Sequence, residues 1–547
     1  MKAPASEQKL RGGYYTPTII ARFLADWAVQ SSADRVLEPS AGDGAFVCAA
    51  LDRLRRINAD NPSVTAIEID QGEAAKTRSL LDGTSGTVHD GDFFGWAKQA
   101  LADGKRYDAV LGNPPFLRFQ HFQEAHRTVA FQLMEKQGLR PNKLTNAWVP
   151  FIGVSAALLA PGGRLAMVVP AELLQVTYSA QLRKFLTDTF RRVTVFAFDR
   201  LVFGSVQQEV VLLTAEKDDT GPAGIRVIEL EDADALNDGH HDWSSEPIKA
   251  LDHDTEKWTQ YFLTNDQLDV VRRLRSNAAM VRLGDVAEVD VGVVTGMNDF
   301  FVLDAAGPTS VGLKAYARPI ITRGNQLTGG HLTEGDWFAF GESGQARLLL
   351  ALDDDVTVDG PLANYIAKGE QEGVDKGYKC RIRRRWYVVP STWRPSGFML
   401  RQIHLYPKVT INRTDATSTD TVHRVRFKPG VNAETVVGAF HNSATFLLAE
   451  IFGRSYGGGV LELEPSEAEA MLIAPPSFFA PPFEQVDVAL RRGDIDEILK
   501  LGDAGLVQSA GLSPDDLQML RTGWERLRDR RLRRNRGSRK TTEPMTA

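Results

Sequence analysis

The stretch Tyr107–Phe116, YDAVLGNPPF, joins a strand pattern to a turn that neither a strand nor a helix can continue. Ala109, Val110 and Leu111 form a short apolar run of the kind found in a buried strand. Gly112 breaks the run, and the two prolines that follow cannot extend a central sheet, because proline lacks an amide hydrogen and fixes its own φ. The chain must therefore leave a sheet here in a stiff, extended turn.

The turn Asn113–Phe116 places a side-chain amide, backbone carbonyls and an aromatic ring in a fixed arrangement. This arrangement suits a flat ring with an exocyclic amino group, because carbonyl oxygens accept its two N–H bonds while Phe116 stacks on its face. A strand that ends in a proline-rich turn beside a core phenylalanine explains the same residues. These four residues alone do not decide between the two interpretations.

The composition is that of an ordinary globular protein with more than one domain. The 547 residues are 43% hydrophobic and 24% charged, and a chain of this length predicts about two to four domains. No apolar run approaches the length of a membrane span, and Met1–Leu10 lacks a signal-peptide core. Cys48 and Cys380 supply neither a disulfide framework nor a cysteine-built zinc site, and we expect a reducing cytoplasm. The net charge of −6 argues against wholesale coating of nucleic acid.

A small-residue loop follows the first predicted strand, Arg35–Glu38, at Pro39–Gly44. Gly42 and Gly44 permit backbone conformations and close approaches that a Cβ would block, as in loops that cradle a ligand. The pair does not complete the G-x-G-x-x-G fingerprint, so it does not indicate NAD binding. Before this strand, Thr16 is expected to be the N-cap of an amphipathic helix.

Two further predicted strands end in acidic residues. Val64–Asp70 carries Glu68 at roughly the separation at which nucleotide-binding folds present a carboxylate to ribose hydroxyls. A solvated strand-end charge is the alternative for Glu68. The next strand ends at Asp92 and Phe93, where the carboxylate can accept from an adenine amino group and the ring can cover the base. Because ligands of open parallel sheets bind at the carboxyl ends of strands, the combined features indicate one site.

In order and spacing, these segments resemble the gamma class of DNA adenine-N6 methyltransferases, of the TaqI and Eco57I types. The resemblance runs from about Arg11 to Lys217 and rests on these segments: Tyr15–Pro17, VLEPSAGDGAF, IEID, GDFF, NPPF, NAWVPF and PGGRLAMVVP. It implies an α/β, class I S-adenosylmethionine-dependent methyltransferase with a Rossmann-like, seven-stranded, mainly parallel sheet. An α+β, β-rich target-recognition domain is expected to follow.

The resemblance also implies roles for individual residues. S-adenosylmethionine is expected to lie among ten residues: Tyr15, Thr16, Glu38, Ser40, Gly42, Glu68, Ile69, Asp92, Phe93 and Phe151. The target adenine is expected at five: Asn113, Pro114, Pro115, Phe116 and Phe203. Most members of the family have tyrosine where this chain has Phe116, so stacking is kept and any role of the hydroxyl is lost. No metal is expected, since the methyl group of a sulfonium is already electrophilic.

We expect four regions: a catalytic domain at 1–220, a connecting region at 221–280, a target-recognition domain at 281–478 and a helical, basic tail at 479–547. The predicted contacts with double-stranded DNA are Arg118, Arg383, Arg385, Trp386 and Arg413. A strand with a basic solvated face is the alternative for Lys376–Arg394, and a solvated connection is the alternative for Leu117–Thr145. The tail from Arg521 to Lys540 is expected to fray into an arm along the DNA backbone.

The expected function is site-specific methylation of adenine N6 in duplex DNA by base flipping. The enzyme is expected to be a monomer, the modification component of a restriction-modification or phage-defence system, in the prokaryotic cytoplasm and associated with the nucleoid. Neither end of the chain leaves room for an ordinary nuclease domain, so any restriction endonuclease is expected on a separate polypeptide. Two alternatives stay open: an RNA or protein-glutamine N-methyltransferase, and a DNA-binding defence subunit that is inactive without partners.

Overall fold

The computed structural model describes residues 16–142, 145–200, 202–203, 209–217, 222–237, 243–251, 257–306, 312–456 and 459–539. The chain divides into two compact units, one formed by Met1–Phe262 with Leu532–Ala547 and the other by Leu263–Arg531. No helix in the described ranges is both long and apolar enough to cross a membrane.

The first unit is built on an eight-stranded sheet, counted over the described residues. Its strands are β1 (Val36–Glu38), β2 (Val64–Glu68), β3 (Thr87–Asp90), β4 (Tyr107–Gly112), β5 (Leu159–Pro170), β6 (Arg192–Phe198), β7 (Val210–Glu216) and β8 (Gly224–Leu230). Their order in the sheet is β3-β2-β1-β4-β5-β7-β6-β8. β7 runs antiparallel to both of its neighbours, and the other pairs are parallel.

Helices connect these strands, as expected when parallel strands need crossover connections. The α-helices are Thr18–Ala28, Ala45–Arg56, Gln71–Leu80, Phe93–Ala102, Glu124–Lys136, Trp148–Leu158, Glu172–Gln175 and Ala180–Thr189. Short 3-10 turns span Phe119–His121, Thr177–Ser179, Ala233–Asn237, Trp243–Ser245 and Trp258–Phe262. One core cluster joins Ile20 and Leu24 of the first helix to Ala109 and Leu111 of β4. The predicted α/β fold class is therefore confirmed.

The structure corrects two expectations for this unit. The sheet has one strand more than the predicted seven, because β8 pairs in parallel with β6. β8 lies in a stretch that the sequence assigned to the connecting region, since the turn-rich residues before it indicated a boundary. Thr16 is not the N-cap of the first helix: Pro17 occupies that position, with no side-chain cap bond.

The second unit is β-rich with α-helices, as predicted. Its strands are β9 (Val281–Arg282), β10 (Ala287–Asp290), β11 (Val302–Asp304), β12 (Ala317–Ile321), β13 (His331–Leu332), β14 (Arg347–Leu350), β15 (Gly397–Leu400), β16 (Gln402–Ile403), β17 (Val409–Asn412), β18 (Thr417–Ser418), β19 (Val422–Phe427), β20 (Arg454–Tyr456), β21 (Val460–Glu462) and β22 (Leu472–Ile473). Within the described ranges, the larger sheets have the orders β10-β19-β15-β17-β13 and β11-β14-β12-β18.

The α-helices of this part of the chain are Asn265–Ser276, Leu283–Val286, Asn298–Phe301, Glu334–Glu342, Gly360–Gln371, Tyr378–Arg381, Ala433–Phe440, Ser443–Phe452, Pro465–Glu469, Phe483–Arg492, Ile495–Ala510 and Pro514–Arg539. Its 3-10 turns are Lys314–Tyr316, Gly324–Gln326, Val374–Lys376 and Pro476–Phe478. A capping box at Thr264 starts the first helix.

The last helix, Pro514–Arg539, was predicted to fray into an arm along the DNA, but its described side chains pack within the protein. Trp524 is fully buried and contacts Phe446 edge-on at 5.2 Å. Arg531 is 2% exposed, and its guanidinium forms a two-point ion pair with Glu450 (Nη2–Oε1 2.6 Å, Nε–Oε2 3.0 Å). The basic composition of this stretch suggested solvent exposure, but these residues complete the core of the second unit.

Candidate active site

Asn113 directly follows Gly112, the last residue of β4, and so lies at the carboxyl end of this strand. Its side-chain Nδ2 donates to the Thr16 hydroxyl at 3.1 Å, and its backbone carbonyl accepts from the Ser40 hydroxyl at 3.3 Å. Thr16 is only 9% exposed, so its contact is shielded from water. Thr16 therefore contacts the carboxamide of Asn113, while Ser40 contacts its backbone, so that two segments distant in sequence hold this residue.

The Pro39–Gly44 loop wraps around the buried carboxylate of Glu38. Oε1 accepts from the Ser40 amide at 3.0 Å, whereas Oε2 is buried without a hydrogen-bond partner among the described residues. Burial, with a smaller contribution from the nearby carboxylate of Glu68, raises the pKa of Glu38 to about 8. Gly112 makes room for this group, because a Cβ there would overlap the Glu38 carboxylate.

Glu68 organises the same loop from β2. Oε2 accepts from the Gly42 amide at 2.8 Å, and Oε1 accepts from the Asp70 amide at 2.8 Å. Gly42 has φ +51° and faces open space, which makes a close approach to its backbone possible. Since a carboxylate offers about four acceptor positions, Glu68 retains capacity for ribose hydroxyls.

Asp92 caps the helix that follows β3. Oδ2 accepts from the Gly95 amide at 2.7 Å, and Oδ1 lies 3.6 Å from His126 Nδ1. Burial raises the pKa of this carboxyl, the Gly95 bond lowers it, and the net shift is upward. His126 lies on the helix Glu124–Lys136 and was not predicted to belong to the site.

The apolar residues predicted around the cofactor differ in exposure. Ile69 is 54% exposed at the end of β2, so it offers a free apolar surface. Phe93 and Phe151 stack on each other, with centroids 5.1 Å apart and rings 14° from parallel. Both rings are buried, and their contact with the cofactor stays a prediction.

Beside the Asn113 turn, Phe116 packs against a core cluster that contains Phe203. Pro114 is buried and Pro115 is half-buried, which holds the turn against the sheet. Of the predicted site residues of the first unit, Tyr15 lies outside the described residues. The polar and acidic residues lie at or just after the carboxyl ends of β1 to β4, Phe151 stacks on Phe93, and Phe203 follows β6.

The sequence did not predict a polar network that lies near the Asn113 turn. Asn146 Nδ2 donates to the Tyr178 hydroxyl at 3.0 Å, and that hydroxyl donates to Glu172. The Ala147 amide bonds to the Leu117 carbonyl at 2.9 Å, which ties the network to the segment after Phe116. Its members are up to 32 residues apart, so no spacing pattern predicts their contact. Burial and the Glu172 carboxylate raise the pKa of Tyr178.

The residues fit S-adenosylmethionine. The unsatisfied Glu38 oxygen suits a cationic group, and that molecule carries both an ammonium and a sulfonium. The open space at Gly42 and the exposed Ile69 suit an adenosine. Within the described ranges, no group of three or more His, Cys, Asp or Glu residues is placed to hold a metal ion.

In the second unit, the predicted DNA-contacting residues mainly make contacts within the chain. Arg383 donates to the carbonyls of Val294 (3.0 Å) and Thr295 (2.7 Å), and burial lowers the pKa of its guanidinium. Arg385 donates to the Val356 carbonyl, Trp386 to Glu370, and Arg413 pairs with Glu434 at 2.8 Å. Lys376–Arg394 forms no strand in the structure. In the first unit, Arg118 is exposed.

The parallel sheet, the loop at Glu38 and the Asn-Pro-Pro-Phe turn together define a class I methyltransferase. Two family models match this chain: Eco57I restriction-modification methylase over residues 56–203, and the C-terminal domain of the type II methyltransferase M.Eco57I over residues 255–507. Both models describe the Eco57I type of modification methylase, and between them they match most of the chain. It is a methyltransferase of the restriction-modification type.

Relatives match along most of the chain. Type II methyltransferase M.XamI of Xanthomonas campestris pv. amaranthicola is 24% identical over 489 residues, 84% of this chain and 85% of its own. Type II methyltransferase M.AccI of Acinetobacter calcoaceticus is 22% identical over 474 residues, 83% of each chain. The solved structure of the type IIL restriction-modification enzyme MmeI in complex with DNA covers 97% of this chain and 73% of its own, with TM-score 0.55 and 12% identity. At that identity the likeness shows a shared fold.

Proposed function

We propose that this chain transfers a methyl group from S-adenosylmethionine to the N6 of adenine at one short sequence of duplex DNA. The observation that carries the proposal is the carboxamide of Asn113, whose nitrogen donates to the Thr16 hydroxyl while the Ser40 hydroxyl donates to the backbone carbonyl of the same residue. The Eco57I family match and the DNA complex of MmeI support DNA as the substrate.

The reaction needs a nitrogen lone pair that is aimed at the methyl group. The adenine amine is a poor nucleophile because its lone pair is delocalised into the ring. Hydrogen bonds from its two N–H groups to the Asn113 carboxamide oxygen and the Pro114 carbonyl favour a more tetrahedral nitrogen. When bound, S-adenosylmethionine supplies a methyl group that is electrophilic without further activation.

Duplex DNA buries the adenine amine, so the base must be flipped out. Flipping costs a few kcal/mol, and stacking on an aromatic ring returns about 1–3 kcal/mol per base. Phe116 is half-buried and would supply one ring face, and Phe203 belongs to the core cluster against which Phe116 packs. Pro115 stiffens the turn, so the carbonyl of Pro114 stays in place while the base enters.

We assign the remaining cofactor contacts by position. Glu68 and Gly42 would hold the ribose, and Asp92 with Ile69 would hold the adenine of S-adenosylmethionine. Glu38 and Ser40 would hold its cationic end. Tyr15 and Thr16 would close the site, while Phe93 and Phe151 form its wall.

We propose that the first unit, which extends to Phe262 and includes β8, carries catalysis, and that 281–478 within the second unit recognises the target. We also propose that the enzyme is a monomer in the prokaryotic cytoplasm, works on the nucleoid, and leaves restriction to a separate endonuclease. Light scattering with and without duplex DNA tests the monomer, and a mass of two chains would contradict it.

The deciding experiment measures transfer of labelled methyl groups into duplex DNA, RNA and a protein extract, followed by base analysis and motif mapping. N6-methyladenine in one short motif is expected, and Asn113→Ala should abolish most of the transfer while Asn61→Ala, an exposed asparagine, should not. Label in RNA or protein would favour the first alternative. Tight DNA binding without label would favour a partner-dependent defence subunit.

A further inference from the structure

The second unit contains an open pocket of about 490 Å³ between two loops. One wall is the turn that follows β12 and carries Arg323 and Asn325, and the other is the stretch from Gln402 to Lys408. Apolar side chains, among them Leu400 and Ile403, also line it. The volume is in the range of small-molecule sites, and the mixed lining suits a group with flat apolar faces and polar edges.

The charged side chains that line this pocket are basic. No aspartate or glutamate is among its lining residues, although the sequence contains 70 of them. Elsewhere in the unit, arginines such as Arg401, Arg491 and Arg531 are neutralised by carboxylates. Arg323, His404 and Lys408 line this pocket together. An acid-free, cationic pocket matches a polyanion.

Hydrogen bonds from other residues stabilise the turn that carries Arg323 and Asn325. The buried side chain of Gln326 accepts from the amides of Thr322 (2.9 Å) and Arg323 (3.0 Å), and the Thr421 hydroxyl donates to the Thr322 carbonyl at 2.8 Å. The side chains of Arg323 and Asn325 are exposed. Because the backbone bonds are made by other residues, these two side chains are presented on a rigid support.

The opposite wall is fixed in a similar way. Lys408 Nζ donates to the carbonyls of Leu327 (3.0 Å) and Thr328 (3.1 Å), and Tyr406 stacks on Phe446 at 5.1 Å. Burial lowers the pKa of Lys408 to about 8, so most of its charge remains at pH 7. Gln402 and His404 are exposed beside these anchored residues.

We propose that this pocket is where the second unit reads the target DNA, with Arg323, Asn325 and Gln402 as specificity-determining residues. The assignment rests on the proposed function and names the contacts that select its target. Arginine pairs with guanine edges, and asparagine or glutamine with adenine edges, each through two hydrogen bonds. Lys408 and His404 would contact the phosphates, and the apolar lining would face a base or a thymine methyl.

The test is a binding selection from random duplex DNA in the presence of S-adenosylhomocysteine, so that no turnover is needed. Arg323→Ala, Asn325→Ala and Gln402→Ala should each lose preference at one or two positions of the motif, by roughly 10-fold to 100-fold. Arg323→Lys should keep affinity but lose discrimination, because lysine cannot form the two-point contact. Arg426→Ala should change neither, since Arg426 pairs with Glu288 and lies over Trp393.

An unchanged motif in all three alanine variants would overturn the assignment, even if their affinity fell uniformly. Labelled methyl transfer is measured in parallel on the same proteins. A wild-type chain that methylates DNA while its variants keep the motif would refute only the pocket. A chain that selects a motif through these residues but transfers no methyl group would refute only the proposed reaction.

Discussion

The hydrogen bond between Thr16 and Asn113 predicts that Thr16→Val slows methyl transfer by misorienting the carboxamide. Valine has nearly the shape of threonine but offers no acceptor to Asn113 Nδ2, which lies 3.1 Å from the Thr16 hydroxyl oxygen. A neutral hydrogen bond of this kind contributes about 0.5–1.5 kcal/mol. That range corresponds to a decrease in kcat of about 2-fold to 12-fold.

The assay is labelled methyl transfer to duplex DNA at saturating S-adenosylmethionine, with Thr16→Val measured in two backgrounds. Asn113→Ala alone should lower kcat by about 10²-fold to 10³-fold, as for the loss of one oriented transition-state contact. If Thr16 acts through Asn113, adding Thr16→Val to that variant should have no further effect on kcat. Ser79→Ala removes an exposed hydroxyl that bonds to its own helix and serves as the control.

Two results would refute this reasoning. Thr16→Val could leave kcat unchanged in the wild-type background, which would mean that the carboxamide needs no such support. Alternatively, it could lower kcat by the same factor in both backgrounds, which would mean that Thr16 acts independently of Asn113.

Three other predictions follow from buried or exposed side chains. Folding raises the pKa of Glu38 from 4.5 to about 8. Between these two pH values the ligand-free folded protein keeps a proton on Glu38 that the unfolded chain has lost, so the melting temperature should fall as pH rises from 4.5 to 8. The fall should be smaller in Glu38→Gln, and an equal fall would contradict the raised pKa. Ile69→Ser should weaken the binding free energy of S-adenosylmethionine by about 1–2 kcal/mol in calorimetry without changing thermal stability, since Ile69 is exposed. A Kd equal to that of the wild type would show that Ile69 does not contact the cofactor. Arg531→Met should destabilise the second unit by about 3–5 kcal/mol in urea unfolding, because it leaves the buried Glu450 carboxylate without its ion-pair partner. The double variant Arg531→Met with Glu450→Met should recover most of that loss. No recovery would show that loss of the ion pair is not the cause.

The local features of the fold were predictable because each depends on a few residues that are adjacent in the sequence. The Asn113 turn follows a buried strand as its prolines required, and the loop at Gly42 follows β1. The last strand of the sheet was not predicted, because a turn before an edge strand has the same composition as a turn before a linker. The prediction that Thr16 caps the first helix was wrong, since a threonine before proline resembles a helix cap whether or not its hydroxyl bonds elsewhere.

The residues of the candidate site could be named from the sequence, but their contacts could not. Glu68 and Asn113 were named from position and Glu38 from the family resemblance, whereas their bonds to Ser40 and Gly42 depend on how strands pack side by side. Arginines were the least predictable residues. Arg383 and Arg531 stand in basic stretches that indicated exposure, yet the structure uses their guanidinium groups to bind carbonyls and a carboxylate inside the second unit.

The support beneath Arg323 and Asn325 has a consequence for how such an enzyme can diverge. Gln326 and Thr421 make the bonds that shape the turn, and the two outward side chains contribute none of them through their side-chain atoms. Exchanges at the two outward positions therefore leave the scaffold intact. If these two positions read the target as proposed, a lineage can acquire a new target sequence there in single mutational steps while the turn stays folded.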